Sequence, residues 1–263
     1  SYPSAVVYCD VWSEDTALSN GLRWFDCATD PNTQDVYSAY TNQDGALRFV
    51  KWDASTWEPG STIVIDSDAS VGANEQRGVA VQVQPTGRIV VWAGVLSYYS
   101  DDRGSTWADY ATGAYATAGN PTTNIGPQRV IRVGGDYMSI QLVSDGIATT
   151  TDDAYQYAST DQGQTWRAVG GVFDFAVDLD AAEMPDGSAW VVYIDASSNV
   201  KALRVTGAFE SVSDLLSSAL DVGTGTGDAV SIAIDPNGAA YIYTRDESDL
   251  IGFELIDGAW TKM

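Results

Sequence analysis

Short apolar runs with the period-two character of β-strands recur along this chain, as in Gly78-Val79-Ala80-Val81-Gln82-Val83 and Ala189-Trp190-Val191-Val192-Tyr193-Ile194. That period is the pleat of a strand, whose successive side chains point to opposite sides. Between paired runs lies a recurring turn: Asp30-Pro31-Asn32, Gln84-Pro85-Thr86-Gly87, Gly134-Gly135-Asp136, Met184-Pro185-Asp186-Gly187 and Asp235-Pro236-Asn237-Gly238. Proline fixes φ at the first corner and glycine takes the positive φ that follows, which is hairpin chemistry. Only Glu210 to Leu220 suits a short helix, with an outer strand followed by a turn as the alternative. The longest irregular connections are Thr112 to Pro127 and Ser144 to Asp153, and long loops on a rigid scaffold often carry function.

Two further segments match each other closely. Ser100-Asp101-Asp102-Arg103-Gly104-Ser105-Thr106-Trp107 and Ser159-Thr160-Asp161-Gln162-Gly163-Gln164-Thr165-Trp166 both read S-x-D-x-G-x-T-W. Side-chain oxygens of Ser and Asp accept backbone N–H bonds across a tight turn, Gly supplies φ > 0, and Trp packs into the sheet. The motif resembles the Asp-box, or bacterial neuraminidase repeat, of sialidase-like β-propellers. The resemblance implies a structural role for Ser100, Asp102, Gly104, Thr106, Trp107, Ser159, Asp161, Gly163, Thr165 and Trp166, on outer hairpins remote from the ligand face.

Degenerate copies follow the same spacing: Lys51 to Trp57 before the first box, Thr206 to Phe209 and Asp257 to Trp260 after the second. Aromatics thus recur at Trp57, Trp107, Trp166, Phe209 and Trp260. With the turns, they define units of four strands spaced by about fifty residues, the size of a propeller blade. The expected fold is all-β, a single β-propeller domain over 1–263 with about five four-stranded blades and six as the alternative. The blades cover about 22–66, 74–116, 127–172, 175–222 and 228–263. Residues 1–21 are left over, and Ala5 to Trp12 is expected to supply an extra strand that helps close the ring.

Charge narrows the partners. The chain carries 36 acidic residues, 29 of them Asp, against 13 basic ones, for a net charge of −23. Such a field repels phosphate backbones and anionic lipid, so nucleic acid and membrane are poor partners. The longest apolar stretches, such as Ile89 to Ala93, fall far short of the roughly 20 residues a membrane-spanning helix needs. An Asp-rich, Lys-poor surface is that of a halophilic protein or of an ordinary acidic secreted or virion protein. The opening Ser-Tyr-Pro-Ser has no basic or apolar leader region, as in a chain already processed or one never carrying a signal. Cys9 and Cys27, each in a strand-like run, are expected to form one disulfide, two buried thiols being the alternative.

With no histidine, His-based triads and His-ligated metal sites are excluded, and two cysteines cannot build an all-thiolate zinc site. Gly223 to Asp228 is glycine-rich but has no Lys and reads as a linker. No cofactor or metal is expected. The sialidase resemblance implies three arginines clamping a carboxylate, a Tyr–Glu nucleophile pair and an Asp acid/base. No Arg-Ile-Pro motif stands near the start, though Arg77, Arg129 and Arg132 fall near inner-strand starts with Glu75 close by. A five-bladed glycosidase would use channel carboxylates, for which Asp35, Asp178, Asp180, Glu183 and Asp228 are candidates. Tyr98, Tyr99, Tyr110, Tyr115, Tyr155 and Tyr157 either stack on sugars or pack between blades. The reading favoured here is a non-catalytic binding or docking module, exposed on a virion or cell surface, that recognises a glycan or protein receptor. A glycoside hydrolase of sialidase-like or five-bladed type is the alternative.

Overall fold

The alternating runs pair as antiparallel ladders. The computed structural model describes residues 22–42, 45–67, 78–93, 96–110, 125–134, 136–144, 152–161, 163–173, 178–195, 197–207, 219–224, 229–246, 249–256 and 258–263. Blade one holds β1 (Leu22–Thr29), β2 (Val36–Asn42), β3 (Leu47–Trp52) and β4 (Ile63–Asp66). Blade two holds β5 (Val79–Val83), β6 (Ile89–Ala93), β7 (Leu96–Ser100) and β8 (Ala108–Asp109). Blade three holds β9 (Ile125–Val133), β10 (Asp136–Ser144), β11 (Asp152–Ser159) and β12 (Arg167–Phe173). Blade four holds β13 (Leu179–Glu183), β14 (Ala189–Ile194), β15 (Asn199–Val205) and β16 (Leu220–Thr224). Blade five holds β17 (Val230–Ile234), β18 (Ala240–Asp246), β19 (Asp249–Ile256) and β20 (Ala259–Lys262). Strand order follows the chain in every sheet, and the fold is a five-bladed β-propeller.

Burial along each strand reports its place in the ring. Every residue of β5 and β6 is buried, because blade two is sandwiched. On one side Val79, Val81 and Val83 meet Tyr37, Ala39 and Phe49 of blade one. On the other, Ala80, Val90 and Trp92 meet Val130 and Tyr157 of blade three. Blade five differs: β17 alternates, with Val230 and Ile232 packed on Trp190 and Val192 of blade four while Ser231 and Ala233 are exposed. Its open side also carries Tyr243 and Leu250. The inner strands pack in series from β1 through β5, β9 and β13 to β17, and among the described residues no comparable packing joins β17 to β1. Blade five draws all four strands from its own stretch. Ala5 to Trp12, expected to help close the ring, lies outside the described residues, as do Cys9 and 210–218 of the expected helix, whose last residue, Leu220, instead opens strand β16. Cys27 is exposed on β1.

The proline turns close as their residues dictate. Gly87, Gly187 and Gly238 all have positive φ, and their N–H groups donate to Gln84, Met184 and Asp235 carbonyls at 2.8, 3.0 and 2.9 Å. The two S-x-D-x-G-x-T-W turns are nearly superposable in their bonds. Gly104 N–H donates to Ser100 Oγ at 2.8 Å, and Thr106 donates its N–H and hydroxyl to Asp102 at 2.8 and 2.7 Å. Gly163 and Thr165 repeat this against Ser159 and Asp161 at 2.8, 2.8 and 2.5 Å. Each turn wedges against the preceding blade. A Cβ on Gly104 would stand 2.2 Å from Phe49 of blade one, and one on Gly163 2.9 Å from Trp92 of blade two. The motif tryptophans finish the wedge edge-on, Trp107 against Phe49 at 4.9 Å and Trp166 against Trp92 at 6.0 Å between ring centroids. Trp260 meets Trp190 likewise at 5.6 Å, whereas Trp57, in blade one, is exposed. Phe209 lies outside the described residues.

Candidate binding site in the central channel

An inner strand has one edge without a strand partner, and its N–H groups need acceptors. Carboxylates from the adjacent blade supply them. Asp26 on β1 accepts Val81 N–H of β5 at 3.0 Å. Asp178, just ahead of β13, accepts Val230 N–H at 2.9 Å, and Asp180 accepts Ile232 N–H at 3.0 Å, both from β17. Glu183 points the other way and accepts Arg132 N–H of β9 at 2.7 Å, together with the side-chain amide of Gln82 from β5. Asp26, Gln82, Arg132, Asp180, Glu183 and Ile232 line a cavity of about 550 Å³ around the axis, walled by all five inner strands, with Asp178 behind its wall. A second cavity of about 600 Å³ shares Arg132 and Glu183 and lies beside Met184, Pro185, Ile234 and Pro236, where the inner hairpins turn.

Asp180 is fully engaged. Besides Ile232 N–H, it accepts Arg129 Nε–H at 2.5 Å, Ser231 Oγ–H at 2.9 Å and Ala181 N–H at 2.9 Å, which fills the roughly four lone-pair sites of a carboxylate. Burial opposes the Arg129 charge, but the carboxylates of Asp180 and Asp26 more than offset it and raise its pKa. Arg132 has Glu183 beside it at 3.5 Å. Burial raises Asp26 above the ordinary carboxylate range against the opposing pull of Arg129 and of Val81 N–H. Burial likewise pushes Asp178 up to about 6, with Val230 N–H working against it.

Of the candidate carboxylates, Asp178, Asp180 and Glu183 therefore come together with Arg129 and Arg132. Asp35 does not: it sits in the β1–β2 turn, paired with Lys51 at 2.6 Å and accepting Ala54 N–H at 3.1 Å. Arg77, Glu75 and Asp228 lie outside the described residues. The tyrosines settle as packing rather than as a sugar platform. Tyr98, Tyr110 and Tyr157 are buried, and Tyr99 packs at a tilt of 35° against Tyr110 at 4.7 Å beneath the Arg88 guanidinium. Tyr115 and the side chain of Tyr155 lie outside the described residues. Sequence reading missed Asp26, Gln82 and Ser231; an acid inside the run Trp24-Phe25-Asp26-Cys27-Ala28 was the available signal. Among the described residues no group of three or more Cys, Asp or Glu is arranged to hold a metal ion.

The chain matches no protein-family model and no curated protein sequence. Solved structures resemble it strongly in fold. A Penicillium chrysogenum alpha-L-arabinanase complexed with arabinobiose is 15% identical over 92% of this chain and 80% of its own, with a TM-score of 0.62. An Aleuria aurantia lectin, a six-bladed β-propeller, is 13% identical over 90% of this chain and 76% of its own, with a TM-score of 0.58. A Hadza microbial sialidase is 15% identical with a TM-score of 0.65, and this chain, matched over 92% of its length, spans only 57% of it. At these identities the likeness is one of fold, a β-propeller shared by lectins and glycoside hydrolases.

Proposed function

We propose that this chain is a non-catalytic glycan-binding module of the Asp-box propeller type, with its ligand site in the central channel. One observation carries the reading: the channel carboxylates are spent on joining blades. Asp180 has no acceptor site left, and Asp26, Asp178 and Glu183 each hold a backbone N–H of an adjacent blade. Groups fixed in this way are poor proton shuttles, but with Gln82, Ser231 and the half-exposed ring of Phe25 they form a rigid polar wall with an apolar patch, as sugar recognition requires. The lectin and glycosidase neighbours support a carbohydrate ligand. The same reading takes the module as exposed on a virion or cell surface, where the acidic exterior keeps it soluble, and leaves room for a protein receptor on the broad faces.

Hydrolysis is favoured by one feature alone. Asp178, pushed up to about 6, keeps its proton to a higher pH than an ordinary carboxyl, the direction a general acid needs. A glycan array run beside a hydrolysis assay on the same panel decides between them. Retention without turnover is expected. Turnover abolished by Asp178→Asn or Asp180→Asn would replace the binding reading with the enzymatic one.

A further inference from the structure

The two ion pairs on the channel wall differ in what they leave for a ligand. Asp180 has its acceptor sites filled and holds Arg129 at 2.5 Å. Arg132 and Glu183 are looser. Their side chains are 32% and 33% exposed, and they meet in one contact of 3.5 Å between Nη2 and Oε2. Arg132 Nε and Nη1 have no partner among the described residues, and neither is sealed from solvent. Glu183 uses Oε1 on Arg132 N–H at 2.7 Å and on the Gln82 amide, so Oε2 keeps acceptor capacity beyond its one long contact. Unused donors and an unused acceptor thus stand side by side.

Arg132 and Glu183 also line both cavities, the channel itself and the one at the inner turns. Met184, Pro185, Ile234 and Pro236 give the second cavity apolar walls on which the C–H face of a sugar ring can pack. An anion drawn to Arg132 meets the Glu183 carboxylate beside it, and a cation drawn to Glu183 meets the guanidinium. Neighbouring hydroxyls meet neither objection, since one accepts from the guanidinium while the other donates to the carboxylate. Resting on the glycan-binding reading above, we infer that the channel takes a neutral oligosaccharide, a vicinal pair of whose hydroxyls bridges Arg132 and Glu183, with sugar units in the cavity on each side of that pair.

The intact protein is screened on the glycan array, extended with β-1,4-linked glucose, β-1,4-linked mannose and α-1,5-linked arabinose oligomers of one to six units, with 3′-sialyllactose and the β-1,4-linked glucosamine tetramer as acidic and basic comparisons. Neutral glycans should be retained over both charged ones. Calorimetry on the best-retained neutral series should show affinity rising about tenfold or more from one unit to four, and the same affinity at about 0.05 M and 0.3 M salt. Arg132→Met keeps the backbone N–H that Glu183 accepts, and should weaken binding of the six-unit oligomer about tenfold or more, the loss of a hydrogen bond from a charged donor. Pro236→Trp, at an exposed turn position, narrows the second cavity and should weaken the six-unit oligomer while leaving the two-unit one unchanged. Lys51→Met, which removes the ion pair with Asp35 outside the channel, should change neither. Preferred retention of a charged glycan, affinity that does not depend on length, or binding unchanged in a folded Arg132→Met variant would overturn the inference while leaving glycan binding in place. Silence across the whole array would remove the glycan-binding reading itself, and this inference with it.

Discussion

Asp178→Asn isolates the cost of a buried charge at the channel. Burial moves the Asp178 carboxyl from 3.8 to about 6, so the folded state holds its proton more tightly than the unfolded chain does. Two units correspond to about 3 kcal/mol, and residual contact with water reduces this to about 2–3 kcal/mol. The sign follows from linkage: stability associated with the proton is complete below about pH 4 and is lost as pH rises through about 6. Asparagine keeps an oxygen for Val230 N–H, which Asp178 accepts at 2.9 Å, but never ionises. Any imperfection in its hydrogen bonding costs the same at every pH, so the informative quantity is the difference between two pH values. Relative to the parent, the variant should gain about 2–3 kcal/mol between pH 4 and pH 7.5, or several degrees in Tm for a domain of this size. Thermal melts of both proteins at the two pH values measure it. An identical change in Tm at both would refute the burial argument.

Gly104→Ala should cost about 3 kcal/mol, from a positive φ and a Cβ 2.2 Å from Phe49, whereas Gly187→Ala, with a similar φ and open space, should cost about 1 kcal/mol. Urea melts of the two variants test the wedge, and equal costs would count against it. The proposed Cys9–Cys27 disulfide closes a short loop worth about 3 kcal/mol, and intact mass should rise by about 2 Da on reduction if it forms. If the surface is halophilic, Tm should climb between about 0.1 M and 2 M salt as screening relieves the charge of −23, and a flat profile would leave an ordinary acidic protein.

The strands were legible because period-two runs and proline turns are local signals. Turns with Gly87, Gly187 and Gly238 close where Pro85, Pro185 and Pro236 announced them. Direction of burial was less legible. The tyrosines at 98, 99, 110 and 157 look alike in sequence on either reading, and only the packing of blade two against blade one, at Tyr98, and against blade three, at the others, turns them inward. Asp35 and Asp178 are both acids beside strand ends, yet one faces Lys51 in a turn and the other the next blade's N–H. Asp26 escaped notice because its role depends on Val81, 55 residues away, and nothing local to β1 announces that partner.

The acidity of this chain thus has at least two structural uses with opposite responses to pH. One set of aspartates builds turns. Asp102 is held at about 2 by Thr106 and Ser100, and Asp53, Asp186 and Asp235 are held low by donors within or beside their own turns. The other set joins blades, where burial raises Asp178 and Asp26. Lowering the pH from about 6 to 4 protonates Asp178 and relieves its buried charge, while the first set stays ionised. Below about 3.8 the first set begins to protonate and its hydrogen bonds weaken, the loss running down to about 2 at Asp102. A chain so acidic is therefore expected to be most stable in mild acid. Its acid unfolding should start at the hairpin turns rather than at Asp178 or Asp26, because protonation removes bonds in the turns and relieves buried charge at those two groups.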